Sequence, residues 1–405
     1  MPFAIYILGL AVFAQGTSEF MLSGLLPDIA QELGVSVSAA GALTSAFAVG
    51  MIVGAPLMAI AGMRRRRRPA LLVFLVAFVL VHVVGALTPS FSVLLATRVL
   101  GALATAGFLA VGIATATAMV APDAKGRATS ILLGGITLAC VAGVPAGAVL
   151  GQALGWRAAF WAVALISLPA VFAVLYLVPE PARPEGDGTL PSARRELRAL
   201  RRPRLLVALL LGALVNGATF CAFTYLAPLA VGVSGFAEGW VPVLLALFGL
   251  GSFAGVTISG RLSDSRPMWV LVPGGIALLA GWALFAVTAQ SPAAALVLAF
   301  VQGTLSFAVG STLITRVLYA AAQAPSLGGS YATVAFNVGA AVGPAIGGLT
   351  IAAGFGYRSP LWVSASLVAA AFVAAGLAQV VRRLRRTAPL APARSETAVN
   401  TTERP

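Results

Sequence analysis

Twelve long apolar stretches follow one another along the chain. They lie near 3–26, 40–62, 69–87, 92–119, 128–152 and 158–178, then 205–232, 240–262, 268–289, 293–319, 328–353 and 360–381. Each approaches or exceeds the roughly 20 residues that a helix needs to cross a hydrocarbon core. A segment in lipid must satisfy its own backbone hydrogen bonds, so each stretch is predicted to be a helix. The pattern predicts an all-α integral membrane protein, with twelve transmembrane helices in two pseudo-symmetric six-helix bundles. Residues 1–178 form the first bundle and 205–381 the second. Residues 179–204, rich in Pro, Gly and charge, read as a linker, and 382–405 as a basic tail. The first stretch has no basic lead and no evident cleavage site, and reads as a retained helix.

Composition narrows this further. Of 405 residues, 60% are hydrophobic and 9% charged, against about 25% charged in soluble domains. Mean hydropathy is +0.98. The net charge of +14 is not spread evenly. Arg64 to Arg68, Lys125, Arg127, Arg261, Arg266, the linker arginines and the tail arginines all fall on one side of the twelve-span topology. The other side shows Arg157 and Arg358. By the positive-inside rule the basic side, with both termini, is cytoplasmic in a bacterial plasma membrane. The charge is therefore a topology signal, and no soluble domain presents it to nucleic acid. Cys140 and Cys221 sit inside spans and read as packing residues. With His82 the one histidine, neither a histidine metal cluster nor a catalytic triad is expected. No phosphate-loop pattern occurs, so no nucleotide is expected, and nothing suggests an enzyme.

The two halves repeat. Gly16 and Pro27 recur as Gly217 and Pro228, and Gly50 and Gly54 recur as Gly251 and Gly255. GWRAAFW at 155–161 recurs as GYRSPLW at 356–362. Every pair is separated by 201 positions (217 − 16), which implies a duplicated six-helix unit. Parallel six-helix repeats place a substrate site near the midplane between them. Gln15, Glu19 and Ser23 lie at i, i+4 and i+8 on one helix face. Their counterparts are Asn216, Phe220 and Thr224, and Thr105 pairs with Ser306. Spans 1, 4, 7 and 10 are thus predicted to line a pathway. The alternative is that these polar side chains bond their own backbones. Phe47, Phe223, Tyr225, Gln302 and Asn337 complete the candidate contacts.

Glu19 stands in an otherwise apolar run, where a carboxylate costs roughly 2.5–3.5 kcal/mol and marks a functional hypothesis. Arg98 lies well inside span 4, at a similar depth by residue count. One reading is a proton-coupling pair, with burial and guanidinium opposing each other at the carboxylate. The other is a permanent structural ion pair. Asp28, after Pro27, is read as a helix-end or gate residue.

With these residues in view, the chain resembles the major facilitator superfamily over about residues 3–381, and within it the twelve-span drug:proton antiporters. In RVLGALATAG, Arg98 matches the buried span-4 arginine that the family implicates in proton coupling. In GVPAGAVLG, Gly143, Pro145, Gly147 and Gly151 match the span-5 antiporter motif; close helix packing alone is the other reading. GRLSDSR, with Gly260, Asp264 and Arg266, matches the cytoplasmic loop motif. Its first-half copy ends GMRRRRR, with Met63 in the aspartate's place, which puts a first-half latch in doubt. FAQGTSEFMLSGLLPDIA, VHVVGAL and ACVAGVPAGAVLG are most similar to chloramphenicol-resistance exporters of actinobacteria. The resemblance implies efflux of small amphipathic drugs, chloramphenicol first, in exchange for protons. It implies no cofactor beyond the proton gradient, and a functional monomer in the bilayer. A sugar or metabolite transporter of the same fold is the alternative, and a non-transporting membrane scaffold or receptor the second.

Overall fold

The computed structural model describes residues 1–61, 67–121, 124–178, 198–324 and 327–387. Among these, twelve helices are long and apolar enough to span a bilayer. They are α1 (Phe3–Phe20), α2 (Val37–Met58), α3 (Arg67–Leu87), α4 (Phe91–Ala118), α5 (Lys125–Leu154) and α6 (Trp156–Leu177). In the second half come α7 (Pro203–Thr224), α8 (Glu238–Leu262), α9 (Pro267–Thr288), α10 (Pro292–Ala320), α11 (Gly328–Phe355) and α12 (Ser359–Val381). The expected run at Arg64 to Arg66, with Met63, lies outside the described residues, as does most of the predicted linker.

Several boundaries differ from the sequence reading. The predicted span 3–26 is not one helix: α1 breaks at Met21, and a second helical segment runs Leu22–Glu32. Pro27 lies inside that segment, where it has no N–H to give the carbonyl of Ser23. Pro228 acts alike in the second half, where α7 ends at Thr224 and Leu226–Gly232 continues. The last helix runs on to Thr387, into the stretch read as tail, and α7 begins at Pro203, inside the stretch read as linker.

The duplication is visible in packing. Gly50 lies against the backbone carbonyl of Val99, and Gly251 against that of Phe300. Both residues of the second contact are displaced by the same 201 positions from the first. A Cβ at either glycine would overlap that carbonyl, so α2 meets α4, and α8 meets α10, at backbone distance. The halves join along α2–α11 and α5–α8. Pro145 likewise lacks the N–H that Val141 would accept. The ladder slips there to a π turn over Ala139–Gly143, with the Val144 N–H reaching the Ala139 carbonyl. That turn faces α8, where Gly249 packs directly on the Cys140 carbonyl.

One end of the bundle is sealed. Ser38 Oγ donates to the Gly348 carbonyl at 2.6 Å, and Ser45 Oγ to the Ala341 carbonyl at 2.8 Å. Gln152 Nε2 donates to the Glu238 carbonyl at 2.7 Å. Each bond crosses between the halves. Leu26, Ala30, Ala40 and Tyr225 pack into one buried cluster there. The sealed end is the one opposite the start of α1 and the end of α12.

Candidate functional site

Arg98 on α4 is 2% exposed, among the largest fully buried side chains. It does not ion-pair with Glu19. Its Nη1 donates to Ser18 Oγ at 2.8 Å and its Nη2 to the Ser18 carbonyl at 2.7 Å. The guanidinium also lies 4.7 Å from the Phe47 ring centroid, a cation–π contact. His82 on α3 joins the same hydroxyl: its Nε2 is 2.6 Å from Ser18 Oγ, and its Nδ1 is 2.7 Å from the Phe78 carbonyl. These contacts are mutually consistent in one polarity. Ser18 Oγ accepts from Arg98, its own O–H donates to His82 Nε2, and the Nδ1–H donates to Phe78. Three helices are thereby tied at the residue before Glu19. Sequence reasoning used His82 only to exclude other chemistries and passed over Ser18. The signal was an ionisable residue inside an apolar span.

The Glu19 carboxylate is partly exposed and accepts no hydrogen bond among the described residues. Beside it, a collar of rings joins the two halves. Phe20 lies 5.6 Å from Phe220 and 6.3 Å from Phe223, and Phe223 lies 4.8 Å from Phe248. The space among them is about 10 Å³, room for one water at most. A drug-sized ligand therefore requires the halves to move apart here.

Among the described residues, buried side-chain polar atoms without a hydrogen-bond partner fall mostly on α1, α4, α7 and α10. They are both amide atoms of Gln15, Thr17 Oγ1, Arg98 Nε, Thr105 Oγ1, Thr224 Oγ1, Gln302 Oε1 and Ser306 Oγ, with Trp282 Nε1 on α9. All but the last belong to α1, α4, α7 or α10. Each such atom costs roughly 1–3 kcal/mol, and native interiors hold few. Two of them face neighbours within their own half, Thr17 Oγ1 against Gly143 of α5 and Gln302 Oε1 against Gly281 of α9.

The structure places the other candidates differently. Ser23, expected on the Gln15–Glu19 face, lies beyond the Met21 break and donates to the Phe20 carbonyl. Phe47 is occupied by Arg98. Asn216 donates to the Phe336 carbonyl, Asn337 to the Thr333 carbonyl, and Gln302 Nε2 to the Leu278 carbonyl. Tyr225 donates to the Pro344 carbonyl at 3.0 Å, in the sealed seam beneath Gly41. Asp28 sits within the second helical segment rather than at a helix end. Burial, and then the charge of Glu238 across the seam, hold its carboxyl above the usual carboxylate range. Gly143, Gly147 and Gly151 lie along Thr17, Met21 and Leu25 of the first span. Asp264 accepts from Tyr319 at 3.0 Å, tying the loop to α10, while Gly260 faces open space and Arg266 begins the turn into α9. Cys140 and Cys221 are free and buried.

Duplicated six-helix bundles that join along α2–α11 and α5–α8 and are sealed at one end define a membrane transporter. A family model described as Major Facilitator Superfamily matches residues 8–334, and the chain belongs to that superfamily. It is 57% identical over 375 residues to a chloramphenicol resistance protein of Streptomyces lividans, across 93% of this chain and 96% of that one. It is 35% identical over 355 residues to the inner membrane transport protein YdhP of Escherichia coli K12, across 88% and 90%. A bacterial homolog of the human lysosomal transporter Spinster, inward-facing and occupied, matches with a TM-score of 0.73 over 96% of this chain and 98% of that one. At 18% identity that likeness is one of fold.

Proposed function

We propose that this protein exports small amphipathic drugs, chloramphenicol foremost, in exchange for protons and so confers resistance. The observation that carries transport is Glu19, partly exposed and unbonded among the described residues inside the first span, next to the Phe20–Phe220 ring contact that joins the halves. The drug class rests on the Streptomyces relative. Chloramphenicol is neutral, with polar groups at both ends of an aromatic ring. Phenyl walls with scattered amide and hydroxyl groups suit it.

In this reading both termini are cytoplasmic, and the sealed end faces outward. Glu19 takes a proton from the exterior when the halves open that way. The halves then rock, and drug entering from the cytoplasm or inner leaflet displaces the proton inward. Arg98, held on Ser18, supplies the fixed positive charge against which Glu19 cycles. One proton against one neutral drug moves net charge, so the membrane potential assists by about 2.3 kcal/mol per 100 mV. The protein works as a monomer and needs no cofactor.

The test uses inverted membrane vesicles, acidified inside, with labelled chloramphenicol outside. Accumulation that collapses with a protonophore is expected, and Glu19→Gln should bring it to the protonophore level with the protein still folded. Full gradient-driven accumulation in that variant would remove Glu19 from coupling. No accumulation by the intact protein would remove the phenicol assignment, and a sugar and drug panel would follow.

A further inference from the structure

The duplicated GWRAAFW and GYRSPLW segments place an arginine at the same point of each half, yet the two arginines live differently. Arg157 is fully engaged. It pairs with the Glu32 carboxylate, donates to the Thr88 carbonyl at 3.0 Å, and stacks 4.3 Å from the Trp156 ring. Glu32 is further fixed by Trp156 Nε1 at 2.6 Å. The second half has lost each of these partners. At the position of Glu32 stands Val233, and at that of Trp156 stands Tyr357. The carbonyl equivalent to Thr88 is that of Ala289, and Ser234 Oγ already occupies it at 2.6 Å. The Arg358 side chain, partly buried, therefore makes no hydrogen bond or ion pair among the described residues.

Arg358 borders a cleft of about 620 Å³ between α11 and α12, within the size range of small-molecule sites. Below the arginine the walls are mainly apolar, with Ile346, Val363 and Leu367 beside Ser366. From Ser359 to Leu367 the cleft descends eight residues of helix, about 12 Å at 1.5 Å per residue. Phe355 and Trp362 are exposed on its rim, as aromatic residues are at headgroup level. The polar wall groups Thr350 and Ser359 bond each other at 2.8 Å, which leaves the guanidinium as the open charged group, with the Ser366 hydroxyl deeper in the cleft.

We propose that this cleft binds an anionic phospholipid of the leaflet on the sealed side, its phosphate on Arg358 and an acyl chain between α11 and α12. A guanidinium offers paired donors that match phosphate oxygens, and the apolar trough beneath gives a chain a fixed course. A free phosphate would use the arginine but leave the trough unused. The site lies on the flank of one bundle, away from the junction of the halves, and does not depend on what the protein exports.

The experiment is native mass spectrometry of the full-length protein released from detergent and titrated with phosphatidylglycerol. One lipid should be retained in preference to phosphatidylcholine. Arg358→Gln should weaken that retention roughly tenfold, the scale of one lost charge-assisted contact. Val233→Glu keeps the arginine but restores the carboxylate found at Glu32, and should weaken retention similarly by occupying the guanidinium. Lipid-free unfolding midpoints confirm that either variant is folded. Unchanged phosphatidylglycerol retention in folded Arg358→Gln would overturn the proposal. So would displacement of the lipid by glycerophosphate or inorganic phosphate at equal concentration, which would assign the site to a soluble anion.

Discussion

At the scale of residues, the centre of the first bundle is not the Glu19–Arg98 pair that their depth suggested but a knot one residue away. Ser18 gives Arg98 both a hydroxyl and a carbonyl to bond, and His82 Nε2 accepts a hydrogen bond from that hydroxyl. This leaves the Glu19 carboxylate unbonded among the described residues, without an ion pair to Arg98. Ser18→Ala removes the acceptor of Arg98 Nη1 inside the bundle. It should lower stability by roughly 1–3 kcal/mol, read as a lower unfolding midpoint in detergent. His82→Phe should reduce the maximal rate of proton-driven export more than it changes apparent drug affinity. His82→Gln, which keeps an acceptor for Ser18, should recover part of that rate; equal loss in both variants would reduce His82 to packing.

At the scale of elements, prolines and glycines decide where helices bend and how near they come. Pro228 withholds an N–H from Thr224, where α7 ends, and Pro145 opens the π turn at Cys140 that receives Gly249. At that point of the α5–α8 seam a glycine meets a backbone carbonyl, with no flexible side chain to yield. Gly249→Ala should force these helices apart at a cost of about 1–3 kcal/mol. Thermal unfolding should shift down, and vesicle transport should fall well beyond the loss of protein. An unchanged midpoint and rate would show that the seam has slack.

At the scale of the whole molecule, the halves are closed at one end by serine-to-carbonyl bonds and packed side chains, and they meet at mid-depth through phenylalanine rings. Asp28 and Glu238 face each other across that closed end, and the sealed arrangement holds the Asp28 proton more tightly than water would. The sign follows from linkage. Sealing is fully favourable below the ordinary carboxylate pKa and weakens as pH rises through the raised value. Raising pH should therefore shift spin-label distances across this end toward the open arrangement. Asp28→Asn should flatten that dependence and keep the end closed; an unaltered pH response in the variant would exclude Asp28 as its source.

The linear sequence alone determined the twelve spans, because apolar runs near 20 residues have one stable course through lipid. It determined the duplication, because a constant 201-residue offset survives in glycines and prolines whose backbone roles tolerate little change. It also exposed Glu19 and Arg98, since ionisable groups stand out in an apolar run. What it left undecided were contacts between residues far apart in the chain. Only the tertiary structure could place His82 on Ser18, turn Phe47 into a support for Arg98, or send Tyr225 to the sealed seam. Only it could separate Arg157, held by Glu32, from its twin Arg358. Period and composition fix which face of a helix is polar. Which partner that face meets depends on how the helices pack, and each such contact joins residues that no local pattern relates.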